Sequence, residues 1–291
     1  MTDRVLGICS GTSYEPLGLL GRGGMGQIYL VRHRLLDKTF ALKVMHPHLA
    51  DSPMLAERLR IEAQAMARLN HPNVAKVIDF WVGFDGTPSY VMELLTGNNL
   101  WVETSERQRI SASDVIDWGC EALAALAAAH GIGVVHRDIK PENLLLHQAP
   151  GKTRTLKVLD FGVARVVGEV SALTPEPLSK PTRAGAKVGS PLFMSPEGRR
   201  GEPVDQRADI YSLGLTLYHA LVGNIGFSPS RDMPPPSKAA NMAILPELDA
   251  IIHRSVQYDA DDRYQTAKDF LADLSQLAPV RRSRESWPVR R

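Results

Sequence analysis

A chain of 291 residues is long for one ordinary core and short for two independent domains, so the sequence implies one domain or a tightly joined pair. Its 44% hydrophobic and 23% charged residues match a folded soluble protein and exclude an intrinsically disordered or fibrous chain. With 34 Lys+Arg against 32 Asp+Glu, the formal charge of +2 argues against nucleic acid as the default partner, and any phosphate that binds must be held by local features.

The two cysteines, Cys9 in what reads as an N-terminal tail (residues 1–13) and Cys120 on an apolar helical face, make neither a disulfide framework nor a metal cluster. They fit a reducing, cytoplasmic setting. The start, Met1-Thr2-Asp3-Arg4, lacks the basic-then-apolar run of a secretory signal, and the longest weakly polar stretch, residues 211–223, is too short to span a bilayer. No membrane contact is expected within the chain.

In chain order, residues 14–20, 28–31 and 40–45 read as strands of an antiparallel meander, parted by Gly21-Arg22-Gly23-Gly24-Met25-Gly26 and by polar residues 33–38. Ser52-Pro53 reads as N-cap and first-turn proline of a helix to about Leu69, stopped by His71-Pro72. The apolar stripe of that helix is interrupted at Glu62, so a carboxylate sits on its buried face and needs a cation from another element. Strands are expected at 74–82 and 89–94. Ser111-Ala112-Ser113-Asp114 opens an Ala-rich helix to His130, and residues 209–222 and 268–277 complete the helical stretches. Strands first and helices afterwards predict an α+β protein of two lobes, joined near residues 93–97. Segments 174–187, 234–236 and the Arg-rich end read as loops or tail.

Four features carry chemistry. Gly21, Gly23 and Gly26 form GxGxxG, but the following Gln27-Ile28-Tyr29-Leu30-Val31 reads as strand and no GK[ST] follows, which leaves a glycine-flanked hairpin that can approach phosphate oxygens. Lys43, on a strand with apolar neighbours, can supply the cation that Glu62 requires. His136-Arg137-Asp138-Ile139-Lys140-Pro141-Glu142-Asn143 is a polar loop pinned between apolar segments, where catalytic residues tend to sit. Asp160-Phe161-Gly162 follows an apolar run and reads, by itself, as a turn.

Taken with Ser195-Pro196-Glu197, the order of these motifs resembles the eukaryotic-type protein kinase family, over about residues 14–277. Gly23-Gly24-Met25-Gly26, His71-Pro72-Asn73-Val74 and Asp262-Arg263-Tyr264-Gln265-Thr266-Ala267 look most like its bacterial Ser/Thr branch. The resemblance implies a bilobal fold, with a β-rich N-lobe at 14–93, a hinge at 93–97, a helical C-lobe at 98–277 and a basic tail at 278–291. It implies transfer of the ATP γ-phosphate to protein Ser/Thr hydroxyls. Lys43, paired with Glu62, would hold the α- and β-phosphates under Gly21, Arg22, Gly23, Gly24, Met25 and Gly26. Asn143 and Asp160 would bind Mg²⁺, Asp138 would accept the acceptor's proton, and Lys140 would neutralise the moving phosphoryl.

By the same resemblance Leu20, Ile28, Ala41 and Leu145 would sandwich adenine, Met92 would be the gatekeeper, and the backbone from Glu93 to Leu95 would bind the base. Glu197 would pair with Arg263, and Asp209 would bond the backbone of the His-Arg-Asp loop. Arg137 implies control by phosphorylation, with Thr182 the first choice and Thr174 the second among Ser171, Thr174, Ser179, Thr182 and Ser190. Autophosphorylation would bring two copies together transiently. With Lys43, Glu62, Asp138, Asn143 and Asp160 all intact, an active kinase is expected rather than a pseudokinase or a scaffold. The chain departs from its relatives in a shortened stretch before Leu245, where Pro234-Pro235-Pro236 is not expected to form a helix, in Gly226 before Phe227, and in Pro16 within a first strand.

Overall fold

The computed structural model describes residues 3–23, 26–46, 67, 69–149, 151, 153–161, 191–223, 229–240 and 243–278. The chain divides into two units between Leu95 and Thr96, crossing back at Phe161 and again at Pro191.

In the first unit, strands β1 (Tyr14–Gly23), β2 (Gly26–His33), β3 (Lys38–Met45), β4 (Val77–Val82) and β5 (Pro88–Glu93) form one antiparallel sheet in the order β1-β2-β3-β5-β4. Pairing of β2 with β3 runs without a break from Gly26↔Met45 to His33↔Lys38. Side chains alternate along β3 as a two-sided strand requires: Leu42 and Val44 join Val31 and Val91 on one face, while Ala41 joins Tyr90 and Met92 on the other. Pro16 lies in the edge strand at a register shift, where its missing N–H costs no ladder bond. The strand expected from Val74 begins only at Val77, because the Val74 N–H closes a turn onto the His71 carbonyl, 3.1 Å away.

The second unit opens with β6 (Gly97–Asn99), which pairs with β7 (Leu144–His147), itself paired with β8 (Thr155–Val158). Helices α2 (Leu100–Arg107) and α3 (Ala112–Gly131) follow β6, and Ser111 caps α3 by accepting from the Asp114 N–H at 3.1 Å. Beyond them lie α4 (Pro196–Arg199), α5 (Gln206–Val222), α6 (Pro236–Ala240), α7 (Pro246–Ser255) and α8 (Ala267–Ser275). α5 is buried from Ala208 to Val222, as expected of a helix that is weakly polar all round. A Cβ at Gly214 would stand 2.0 Å from Ser255 Oγ, so glycine there sets how closely α7 approaches α5. Among the described residues, no helix is long and apolar enough to cross a membrane.

Two expectations need correction. Residues 3–13 are not a loose tail: α1 (Asp3–Ile8) buries Val5 and Ile8, and Cys9 just after it, against the Val31/Leu42/Val44 face of the sheet, because that face is apolar and needs a cover. Burial pushes the Cys9 thiol up to about 11. The proline run does end in a helix, since Pro236 occupies the first position of α6, where a missing N–H is harmless. Its Pro234 carbonyl accepts the Tyr218 hydroxyl at 2.9 Å. The helix expected from Ser52 through Glu62, Gly24, Met25, Gly162, the stretch holding Ser171, Thr174, Ser179, Thr182 and Ser190, Gly226, Phe227 and the basic end from residue 279 lie outside the described residues.

The pairing of Glu197 with Arg263 is as expected. Both terminal guanidinium nitrogens of the fully buried Arg263 donate to the carboxylate at 2.8 Å, and its remaining N–H groups reach the Gln257, Tyr258 and Arg207 carbonyls. Burial alone would raise the Glu197 carboxyl, but its hydrogen bonds and the Arg263 charge outweigh this and leave it below its ordinary 4.5. A depressed carboxyl stabilises the fold above its unfolded value and loses that contribution as pH falls through the folded one. Acid titration of thermal stability should therefore be less steep in Glu197→Gln than in wild type. Denaturant unfolding of Arg263→Met should show a loss of about 3–5 kcal/mol, because an unpaired carboxylate remains half-buried.

Candidate active site

The polar loop predicted between apolar flanks is built on a single carboxylate. Asp209, in the first turn of α5 and fully buried, accepts the His136 N–H at 2.7 Å and the Arg137 N–H at 2.6 Å, as the family resemblance implied. A third donor was not anticipated: His130 Nε2, in the last turn of α3, lies 2.8 Å from Asp209 Oδ2. The only sequence signal for it is a histidine at a helix end six residues before the loop. Arg137 takes φ +65°, a left-handed conformation strained for a side chain of its size, which the two anchored N–H groups sustain.

Beyond that turn the loop ties itself together. The Asp138 N–H meets His136 Nδ1 at 3.2 Å, and His136 Nε2 donates to the Leu159 carbonyl at 2.8 Å. Lys140 Nζ bonds both Asp138 carboxylate oxygens, at 2.9 and 2.7 Å. Pro141 starts a single 3-10 turn ending at Asn143, whose Nδ2 donates to the Asp138 carbonyl at 2.8 Å and to Asp138 Oδ2 at 3.0 Å. With both amide hydrogens committed, Asn143 keeps its side-chain oxygen as an acceptor. The Asn143 carbonyl accepts the Leu159 N–H at 2.9 Å, which places Asp160 one residue from this anchor, at φ +55°. Asp138, Lys140 and Asn143 are thus brought together, with Asp160 on the adjoining strand end.

In the first unit, the glycine-rich hairpin closes with Gly23 opposite Gly26. A Cβ at Gly26 would stand 2.2 Å from the Val44 carbonyl, so this position excludes every other residue. His46 Nε2 donates to the Gly23 carbonyl at 3.2 Å, tying the hairpin to the end of β3. Lys43 is 5% exposed, paired in register with Ile28 and Tyr90, and its Nζ lies 5.8 Å from the centre of the Tyr90 ring. Ala41 faces Met92 across the β3/β5 pair, and Ile28 and Leu94 pack against them. Leu20 is half exposed, and Glu93 exchanges bonds with Lys76, N–H to Lys76 carbonyl at 3.0 Å and carboxylate to Lys76 N–H at 2.9 Å. Leu145, in β7, turns away from the fully buried Leu144 and Leu146.

Residues 14–286 match the protein kinase domain family. Serine/threonine-protein kinase pkn3 of Myxococcus xanthus is 34% identical over 99% of this chain and 54% of its own length. PknB of Mycolicibacterium smegmatis is 36% identical over 90% of the chain and 42% of its own length. The chain spans about half the length of these relatives or less. The crystal structure of the PknI kinase domain of Mycobacterium tuberculosis superposes with a TM-score of 0.71 and 26% identity, covering 91% of this chain and 96% of that one.

If Asp209 is what holds the loop, Asp209→Asn should raise amide hydrogen exchange at His136 and Arg137 by at least about tenfold, the loss of one charge-assisted bond. Arg200→Ala, on an exposed surface pair, should leave both amides unchanged.

Proposed function

Because the chain belongs to the protein kinase domain family, we propose that it is a serine/threonine protein kinase, transferring the γ-phosphate of ATP with Mg²⁺ to Ser or Thr hydroxyls of proteins. The observation that carries this reading is the Asp138 carboxylate, held by Lys140 Nζ and Asn143 Nδ2 on a loop anchored to Asp209. Asp138 orients the acceptor hydroxyl and takes its proton as the new O–P bond forms and the bond to the β-phosphate bridging oxygen breaks, releasing ADP. Lys140, already on the carboxylate, neutralises charge on the moving phosphoryl.

Lys43 holds the α- and β-phosphates with Glu62 as its partner, under the backbone of residues 21–26. Ala41, Ile28, Leu20 and Leu145 contact adenine, Met92 stands behind it, and the backbone from Glu93 to Leu95 binds its edge. Asn143, with its amide oxygen left as acceptor, and Asp160 are hard oxygen donors that fit Mg²⁺. A Mg²⁺ held by Asn143 and Asp160 would supply positive charge against the phosphate oxygens.

Residues 14–277 form the catalytic body. Arg137 Nε is buried and finds no hydrogen-bond partner among the described residues, which supports an anionic partner such as a phosphorylated Thr182 or, second, Thr174. That phosphate would be added by a second copy in a transient homodimer. Two free cysteines support a cytoplasmic location.

Incubation with labelled ATP, Mg²⁺ and a generic protein acceptor should label wild type and leave Asp138→Asn at background, with the Mg²⁺-ATP thermal shift retained in both. A thermal shift without label in wild type would replace the reading by nucleotide binding alone. Thr182→Ala should lower the rate about tenfold or more, as expected for loss of an ordering phosphate.

A further inference from the structure

The sheet of the first unit presents two faces, and Lys43 belongs to the one opposite α1. On β3, Leu42 and Val44 pack toward α1 with Val5 and Ile8, while Ala41 and Lys43 point away, Lys43 toward Tyr90. The short helix therefore backs the strand that carries the lysine. It is also pinned at both ends. At its C-terminus the Ile8 carbonyl accepts Trp81 Nε1 at 3.0 Å, and Trp81 stacks on Tyr14 with planes 9° apart.

Near its N-terminus Arg4 reaches three acceptors with one guanidinium: Nη2 donates to Thr87 Oγ1 at 2.9 Å and to the Met45 carbonyl at 3.4 Å, and Nε donates to Asp85 Oδ2 at 3.2 Å. Asp85 Oδ1 in turn accepts the Thr87 N–H at 2.9 Å, so the acceptors are themselves ordered. Met45 is the last residue of β3, two beyond Lys43, and Thr87 immediately precedes β5, the other neighbour of β3. His46, which follows Met45, holds the Gly23 carbonyl of the glycine-rich hairpin. One guanidinium thus clamps the strand end that bears on both phosphate-binding elements.

We propose that Arg4 is a positioning residue for ATP binding, acting through the Met45 carbonyl on Lys43 and, through His46, on the glycine-rich hairpin. The inference rests on the reading of Lys43 as a phosphate ligand. A lysine on a loosened strand end reaches the phosphates in only a fraction of molecules, and apparent affinity falls by that fraction. The effect belongs in KM for ATP, since contacts made equally in ground and transition states leave kcat unchanged.

Steady-state kinetics of the full chain with a protein acceptor test this. Arg4→Ala should raise KM for ATP about fivefold while kcat stays within about twofold, the size expected from the net loss of one ordinary hydrogen bond. Arg4→Lys, which keeps a charge able to meet Thr87 Oγ1 and the Met45 carbonyl, should recover part of the affinity. If Arg4→Ala does not fold, the near-isosteric Thr87→Val, which removes one of the three acceptors, should raise KM in the same direction. A lowered melting temperature with KM for ATP unchanged would make Arg4 merely structural and overturn the proposal, as would Arg4→Lys behaving no better than Arg4→Ala. Wild type that shows no ATP-dependent thermal shift would refute the underlying reading itself, an outcome separate from a failed Arg4 variant.

Discussion

Asp209 is a carboxylate with no access to water, and it is occupied by three donors: the His136 and Arg137 amides and the His130 imidazole. A buried charge is tolerable only when its hydrogen-bonding capacity is used, and in a low-dielectric interior each of these bonds is stronger than it would be at the surface. The consequence is geometric. Two successive amides bonded to one rigid carboxylate hold the chain through a left-handed Arg137, and that turn aims Asp138 at Lys140 and Asn143. From there His136 and Asn143 pass the constraint to Leu159, next to Asp160. The residues proposed for proton acceptance, charge neutralisation and metal binding all descend from one anchor on α5, a helix buried from Ala208 to Val222.

The converse device, a cation filled with acceptors, holds irregular backbone at Arg263 and Arg4. Arg263 fills its guanidinium with the Glu197 carboxylate and three backbone carbonyls, and its Cζ lies 4.8 Å from the Tyr211 ring centre. Arg4 does so less completely, at the rim of the first unit. In each case a planar, many-donor cation gathers acceptors from segments far apart in sequence, which lysine, a compact point charge, does less well. Positioning of the Asp138 loop here depends on polar anchors seated on an apolar scaffold, not on the scaffold alone.

How far sequence reaches varied from element to element. β3 was legible because alternation is written into Phe40-Ala41-Leu42-Lys43-Val44, and α3 because its cap and its apolar periodicity agree. The Glu197–Arg263 and Asp209 partnerships were legible only through the family resemblance. α1 was missed because six residues of mixed polarity have no helical signal of their own; what makes them a helix is the apolar sheet face they cover. α6 was missed because three prolines read as a breaker, when the last of them is a helix start.

The residue types needed for the chemistry, their order, and the periodicity of the long strands and helices were determined by the sequence, since each is a local property of the chain. Tertiary structure decided which groups meet. His130 and Asp209 are 79 positions apart, and Arg4 and Thr87 are 83 apart. No local pattern encodes such pairs, because the free energy that brings them together comes from burying the apolar faces of other elements. Composition allowed one core or two, and packing produced two units, each with its own sheet.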